Sequence, residues 1–271
     1  MLLTVPSRQP HPWRRFVALG DSLTEGLADP LPDGSPCGWA DRFAQHLADA
    51  AAEPVQYANL AIRGRLLRPI IAEQLDAALA LKPDLVSLWG GGNDILRPRA
   101  DVDAITDELE RAVVRLRQAG IDVLLGTGID AKESPVLSLT RPRTGVFNSN
   151  VWSIARRHGA FVIDVWGMRC LKDWRMWHDD RLHFNSAGHE RVSQAALVAV
   201  RLPARSGWDE PLPPLPPKSR REWWEWQQTW AREHAAPWIG RRIRRTSSGA
   251  GRSAKLPEYV SVPPRSAERA E

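Results

Sequence analysis

Between residues 15 and 200 the chain alternates short, nearly unbroken apolar runs with longer segments whose apolar residues recur every three or four positions. The runs are Phe16–Leu19, Val55–Leu60, Leu85–Trp89, Val123–Thr127 and Phe161–Val165. Continuous apolarity of this kind is what a strand needs when both faces of its sheet are covered. The stripes between them are Trp39/Phe43/Leu47, Ile71/Leu75/Leu79, Val102/Ile105/Leu109/Val113/Leu116 and Phe147/Val151/Ile154, each spaced for one helix face. A last helix is expected from Ser186 to Arg201, capped by Asn185 or Ser186. Parallel neighbours require crossovers, and the alternation supplies them. The pattern therefore predicts an α/β domain: a three-layer, doubly wound, five-stranded parallel sheet of flavodoxin-like type. In such sheets ligands bind at the carboxyl ends of the strands, near the point where strand order reverses.

The length of 271 residues suits one large domain with an extension, and the expected division is 1–205 and 206–271. With 43% hydrophobic and 25% charged residues, the chain has the composition of a globular protein and not of a disordered one. Pro211 to Pro217, PLPPLPP, reads as a polyproline II spacer, because stacked prolines fix φ and donate to neither helix nor sheet. A helix is expected from a Ser219 cap to Pro237, and RRIRRTSSGAGRSAK with all that follows reads as a largely disordered tail.

The net charge of +5 belongs to this extension: from Arg201 on there are 14 Lys and Arg against 8 Asp and Glu, whereas the first 200 residues carry 23 against 24. An electrostatic case for nucleic acid or an anionic membrane thus applies to the tail alone. Trp223, Trp226 and Trp230 share one helix face, with Trp224 off it and Trp238 just beyond. Such a stripe packs back on its own domain, or lies on a membrane with Arg241, Arg242, Arg244 and Arg245 meeting headgroups. Cys37 and Cys170 are too few for a disulfide framework and too far apart for a metal knuckle. No signal peptide and no apolar run of about 20 residues is found, so a cytoplasmic location is expected.

The chemistry is sought after each strand. The first run ends in Gly20-Asp21-Ser22, the second in NLAIRG to Gly64, the third in GGGND with Asn93, and the fifth leads to His178-Asp-Asp-Arg-Leu-His183. Alone, each motif has a plain reading: Ser22 or Asp21 as a helix cap, Asn93-Asp94 as a turn, His178 and His189 as a loop and a helix residue. Together they supply a hydroxyl, an acid-histidine pair, a glycine amide and a side-chain amide at one sheet edge. These are the parts of acyl transfer through a serine. The chain lacks a P-loop, a dinucleotide fingerprint and the G-x-S-x-G elbow, so no cofactor is expected. His178, Asp179, Asp180 and His183 could ligate a metal but suit a proton relay equally, and no metal is expected.

Taken in order, GDSLTEG, NLAIRGR, GGGND and DRLHFNSAGH resemble the four blocks of the GDSL-type SGNH hydrolases, lipases and esterases, over about residues 15 to 200. The resemblance implies the SGNH hydrolase fold and a serine esterase or acylhydrolase. It assigns Ser22 as nucleophile, His183 as base and Asp180 as acid, with Ser22, Gly64 and Asn93 forming the oxyanion hole. Asp179 is the rival acid, and the three-residue spacing favours Asp180. The second block departs from the family at Ala61, where a glycine is usual, and in the Arg63 and Arg65 that flank Gly64. Those guanidiniums either hold an anionic substrate or pair with carboxylates, and the pairing is expected.

The expected activity is cleavage of a small acyl ester, whether lipid, acetylated sugar or thioester. Asp130 to Arg143, with Lys132, Arg141 and Arg143, is expected to line the pocket without choosing among them. A small-molecule ester is the expected partner. Nucleic acid is not expected, and the Trp/Arg-rich tail leaves membrane contact open. The alternative is a catalytically silent α/β module whose basic tail contacts nucleic acid or anionic membrane. Oligomeric state is not legible in the sequence.

Overall fold

The computed structural model describes residues 11–134, 137–216, 219–237 and 248–265. Five strands fall on the five apolar runs: β1 Arg15–Gly20, β2 Val55–Asn59, β3 Leu85–Trp89, β4 Asp122–Gly126 and β5 Phe161–Ile163. They are all parallel, and the sheet order is β5-β4-β3-β1-β2, extended at its far edge by a sixth strand, β6 Leu256–Val262. β6 runs antiparallel to β2, with Val55 opposite Val262 and Tyr57 opposite Val260.

The helices are α1 Ser22–Glu25, α2 Trp39–Ala51, α3 Leu67–Ile70, α4 Asp76–Ala80, α5 Gly92–Ile95, α6 Val102–Gln118, α7 Arg141–His158, α8 Ser186–Ala199 and α9 Arg220–Trp230. A π turn, Ile71–Leu75, joins α3 to α4. α2 and α8 cover one face of the sheet, where Trp39, Phe43 and Leu47 are wholly buried with Phe184 and Val192. On the other face α4, α6 and α7 bring Ala78, Leu109, Val113, Leu116, Val151 and Ile154 against the strands. Truncating one of the large side chains, Phe43→Ala for instance, removes enough packing to cost about 3–5 kcal/mol. Asn185 is the cap of α8, its Oδ1 accepting from the Gly188 amide at 3.1 Å.

β1 lies between β2 and β3, so the chain winds away from it in both directions and leaves a crevice at its carboxyl end. Gly20 closes that end because nothing larger fits: a Cβ there would stand 2.6 Å from the Trp89 carbonyl oxygen.

The extension is more ordered than its composition implies. Residues 201–216 carry neither helix nor strand but are tied down by Arg205 N–H to Gln194 Oε1 at 2.8 Å and by Arg175 Nη2 to the Pro213 carbonyl at 2.7 Å. α9 begins in a capping box, Ser219 Oγ accepting from Glu222 N–H and Glu222 Oε2 from Ser219 N–H, and the helix continues to Pro237. The expectation of a disordered tail fails at β6. Lys255 Nζ pairs with Asp41 at 2.7 Å before it, and Arg265 Nε pairs with Asp49 at 2.9 Å after it. β6 covers the edge that β2 would otherwise expose, and Pro257 is tolerated because it stands in an edge strand. Trp238 and the expected headgroup arginines Arg241, Arg242, Arg244 and Arg245 lie outside the described residues. Among the described residues no helix is long and apolar enough to cross a membrane.

Candidate active site

Asp21, and not Ser22, caps α1: its Oδ1 accepts from the Leu23 amide at 3.3 Å. Ser22 is thereby left as the first helical residue, at the mouth of the crevice. Its Oγ lies 2.9 Å from His183 Nε2, and His183 Nδ1 lies 2.7 Å from Asp180 Oδ2. The other carboxylate oxygen of Asp180 accepts from the backbone amides of Leu182 at 2.9 Å and His183 at 3.0 Å. Burial works to raise the Asp180 pKa, but the bond and charge of His183 with those two amides outweigh it and hold the group well below the usual carboxylate range. Asp179 is exposed.

Gly64 and Asn93 line the same cavity as Ser22 and His183. Gly64 takes φ +72°, a left-handed conformation that favours glycine and turns the backbone between Arg63 and Arg65. The Asn93 Nδ2 donates to Asp21 Oδ2 at 3.0 Å and to the Arg65 carbonyl at 3.0 Å. Asp21 is buried, and burial pushes its pKa up to about 6 against the lowering influence of the Leu23 amide, His183 and Asn93. The two arginines beside Gly64 are held by carboxylates. Arg63 Nε meets Glu25 Oε1 at 2.8 Å while its backbone amide meets Oε2 at 2.7 Å, and Arg65 Nε meets Glu73 at 2.9 Å.

The cavity measures about 1220 Å³, roomy beside the roughly 300–1,000 Å³ of ordinary ligand pockets. The segment after β4 lines it through Asp130, Ala131, Glu133, Ser134, Leu137 and Thr140. Arg141 is spent on Asp130 at 2.7 Å and lies over the Trp166 ring, while Arg143 Nη1 donates to the Arg97 carbonyl at 2.6 Å. Glu233, His234 and Pro237, from the end of the α9 segment, line the cavity as well. Among the described residues no group of three or more His, Cys, Asp or Glu side chains is placed to hold a metal ion. His189 is enclosed in the core, its Nδ1 accepting from the Trp39 amide at 3.1 Å, and burial drives its pKa down to about 3.

Two groups that shape the site carried no signal in the motifs. Gln74, on the π turn, grips the end of β1 from both sides: the Gly20 N–H donates to its Oε1 at 2.9 Å and its Nε2 donates to the Gly20 carbonyl at 3.0 Å. A glutamine within the Ile71/Leu75/Leu79 stripe was the available hint. The other is Arg181, between the candidate acid and base, whose guanidinium is buried against Trp226 and Trp230 of α9.

Two solved structures illustrate the fold. LAE5, described as an alpha/beta hydrolase enzyme from the metagenome of Lake Arreo in Spain, superposes with a TM-score of 0.58 at 24% identity, covering 69% of this chain and 94% of its own. Axe2, an acetylxylan esterase from Geobacillus stearothermophilus, does so with a TM-score of 0.58 at 20% identity, covering 71% and 97%. Comparison with curated proteins gives no significant match. Residues 18–191, well over half of the chain and including every one of the site residues above up to His189, match the GDSL-like lipase/acylhydrolase family, and the protein belongs to that family of ester-cleaving hydrolases.

Proposed function

We propose that the protein hydrolyses small acyl esters through an acyl-enzyme on Ser22. The observation that carries this reading is the unbroken hydrogen-bonded chain from Ser22 Oγ through His183 to Asp180, at 2.9 and 2.7 Å. Ser22 Oγ attacks the ester carbonyl carbon as His183 Nε2 takes its proton, and Asp180 holds the imidazole with Nδ1 protonated and steadies the imidazolium. The tetrahedral oxyanion is met by the amides of Ser22 and Gly64 and by Asn93 Nδ2. Collapse expels the alcohol, which carries away the proton from His183. Water then attacks the acyl-enzyme with the same base and frees the acid.

Axe2 lends support within its limits. Three of its structures are described as catalytic mutants, with a serine, an aspartate and a histidine replaced in turn, the last two three positions apart as Asp180 and His183 are here. That protein acts on acetylated xylan, and an acetyl ester is accordingly the first substrate to try. Purified Ser22→Ala assayed with p-nitrophenyl acetate is the deciding experiment. Turnover should fall by several orders of magnitude with the fold retained, and a wild-type rate would sink the reading.

A further inference from the structure

We propose that Arg181, clamped by the indoles of Trp226 and Trp230, is a positioning residue that keeps Asp180 and His183 aligned with Ser22, which makes α9 a working part of the active site. The inference rests on the function proposed above for those three residues.

The turn from His178 to His183 is tight. The His178 amide donates to the His183 carbonyl at 2.9 Å, and the Arg181 amide donates to the His178 carbonyl at 2.9 Å. Closing it puts Arg181 at φ +57°, a left-handed conformation that is costly for a residue other than glycine. Something must offset that cost, and the side chain shows what does.

The guanidinium carbon of Arg181 lies 3.6 Å from the Trp226 ring centre, 4.7 Å from that of Trp230 and 5.5 Å from that of Trp174. Its Nη1 donates to Gln227 Oε1 at 2.7 Å, and its Nη2 to the Trp226 carbonyl at 3.4 Å. The residue is 4% exposed, and among the described residues no carboxylate pairs with it. Desolvation lowers its pKa to about 10, as expected for a cation held by aromatic faces instead of a counter-charge.

The helix also reaches the acid directly: Trp230 Nε1 donates to the Asp180 backbone carbonyl at 3.0 Å. α9 thus grips two consecutive residues of the turn, one through its side chain and one through its backbone. The Asp180 carboxylate takes its direction from the amides of Leu182 and His183, so whatever holds the turn also aims the acid. Displacing catalytic groups by about 1 Å costs on the order of 10² in rate.

The test uses the full chain and p-nitrophenyl acetate. Arg181→Met should lower kcat by about 10- to 100-fold with KM within about twofold, because the guanidinium, though it borders the cavity, is engaged by α9 and its loss is chiefly a loss of alignment. Trp226→Leu should do the same, Trp226→Phe should recover most of the loss, and Arg181→Met with Trp226→Leu should be no worse than either alone, as for residues acting as one unit. Trp230→Phe keeps a ring but drops the bond to Asp180, and should cost kcat about 2- to 12-fold. That mild variant decides the matter if Arg181→Met fails to fold. A kcat within twofold of wild type in the folded variants, with any change confined to KM or melting temperature, makes the clamp mere packing and overturns the proposal. Activity persisting in Ser22→Ala is a different failure, that of the site assignment itself.

Discussion

Asn93 donates its side-chain amide to the Asp21 carboxylate at 3.0 Å, linking α5, the short helix after β3, to the residue that precedes the candidate nucleophile. The same nitrogen donates to the Arg65 carbonyl at 3.0 Å, so both of its hydrogens are engaged and the amide is held on two sides at rest. To act as the proposed oxyanion donor it must turn one hydrogen from these partners to the developing charge. Asn93→Ala is therefore expected to lower kcat on p-nitrophenyl acetate by about 10²–10³. Steady-state kinetics on the folded variant is the check.

Asp180 and Asp179 are adjacent in sequence but only Asp180 holds His183. Asp180→Asn should reduce kcat by on the order of 10⁴, as expected when the imidazole is left in the wrong tautomer. Asp179→Asn, at an exposed position, should stay within about twofold of wild type. Equal losses in the two variants would exchange the assignment or abolish it.

Asp21, which is buried, and Asp180, which is half-buried, bias stability in opposite directions with pH. The folded-state pKa of Asp21 is raised to about 6 from an ordinary 3.8, so the folded protein binds the proton more tightly than the unfolded chain. Its contribution is most favourable below pH 3.8 and declines as pH rises to about 6. Asp180 is depressed, so its contribution is present above the unfolded value and is lost as pH falls through the folded one. Relative to wild type, Asp21→Asn should thus fare better at pH 8 than at pH 4. Melting curves across that range test the sign, and a difference that does not change with pH would count against the buried carboxylate.

Gln74 satisfies both backbone groups of Gly20. Gln74→Leu leaves the buried Gly20 N–H without its partner, at a cost of about 1–3 kcal/mol, while the Gly20 carbonyl keeps the Ile62 amide at 3.2 Å. Urea titration should show a destabilisation of about 1–3 kcal/mol from that one group. Because Gly20 ends the strand that presents Ser22, activity should decline more than the loss of folded protein explains.

Most of the fold was legible because its strands and helices announce themselves locally. Leu85–Trp89 is apolar but for Ser87 because the sheet is covered on both sides, and the stripe from Val102 to Leu116 gives α6 almost to the residue. Ser22, Gly64, Asn93, Asp180 and His183 could be brought to one edge on paper, since parallel topology puts every following loop there. What escaped depends on distant partners. Leu256–Val262 sits between a basic stretch and prolines, and is a strand only because β2 offers it a ladder 200 residues earlier in the chain. The helix stripe of Trp223, Trp226 and Trp230 was visible, yet only packing shows that Trp226 and Trp230 turn to Arg181 while Trp223 stays 41% exposed.

β6 has a consequence for α9. The stretch that carries the helix leaves the domain beside α8, where the Arg205 amide is tied to Gln194, and returns to it at Lys255 and β6. Tethered at both ends, the helix docks as an intramolecular event, with an effective concentration set by short leashes and not by diffusion. The indoles of Trp226 and Trp230 therefore need contribute only a little free energy to keep Arg181 occupied nearly all the time.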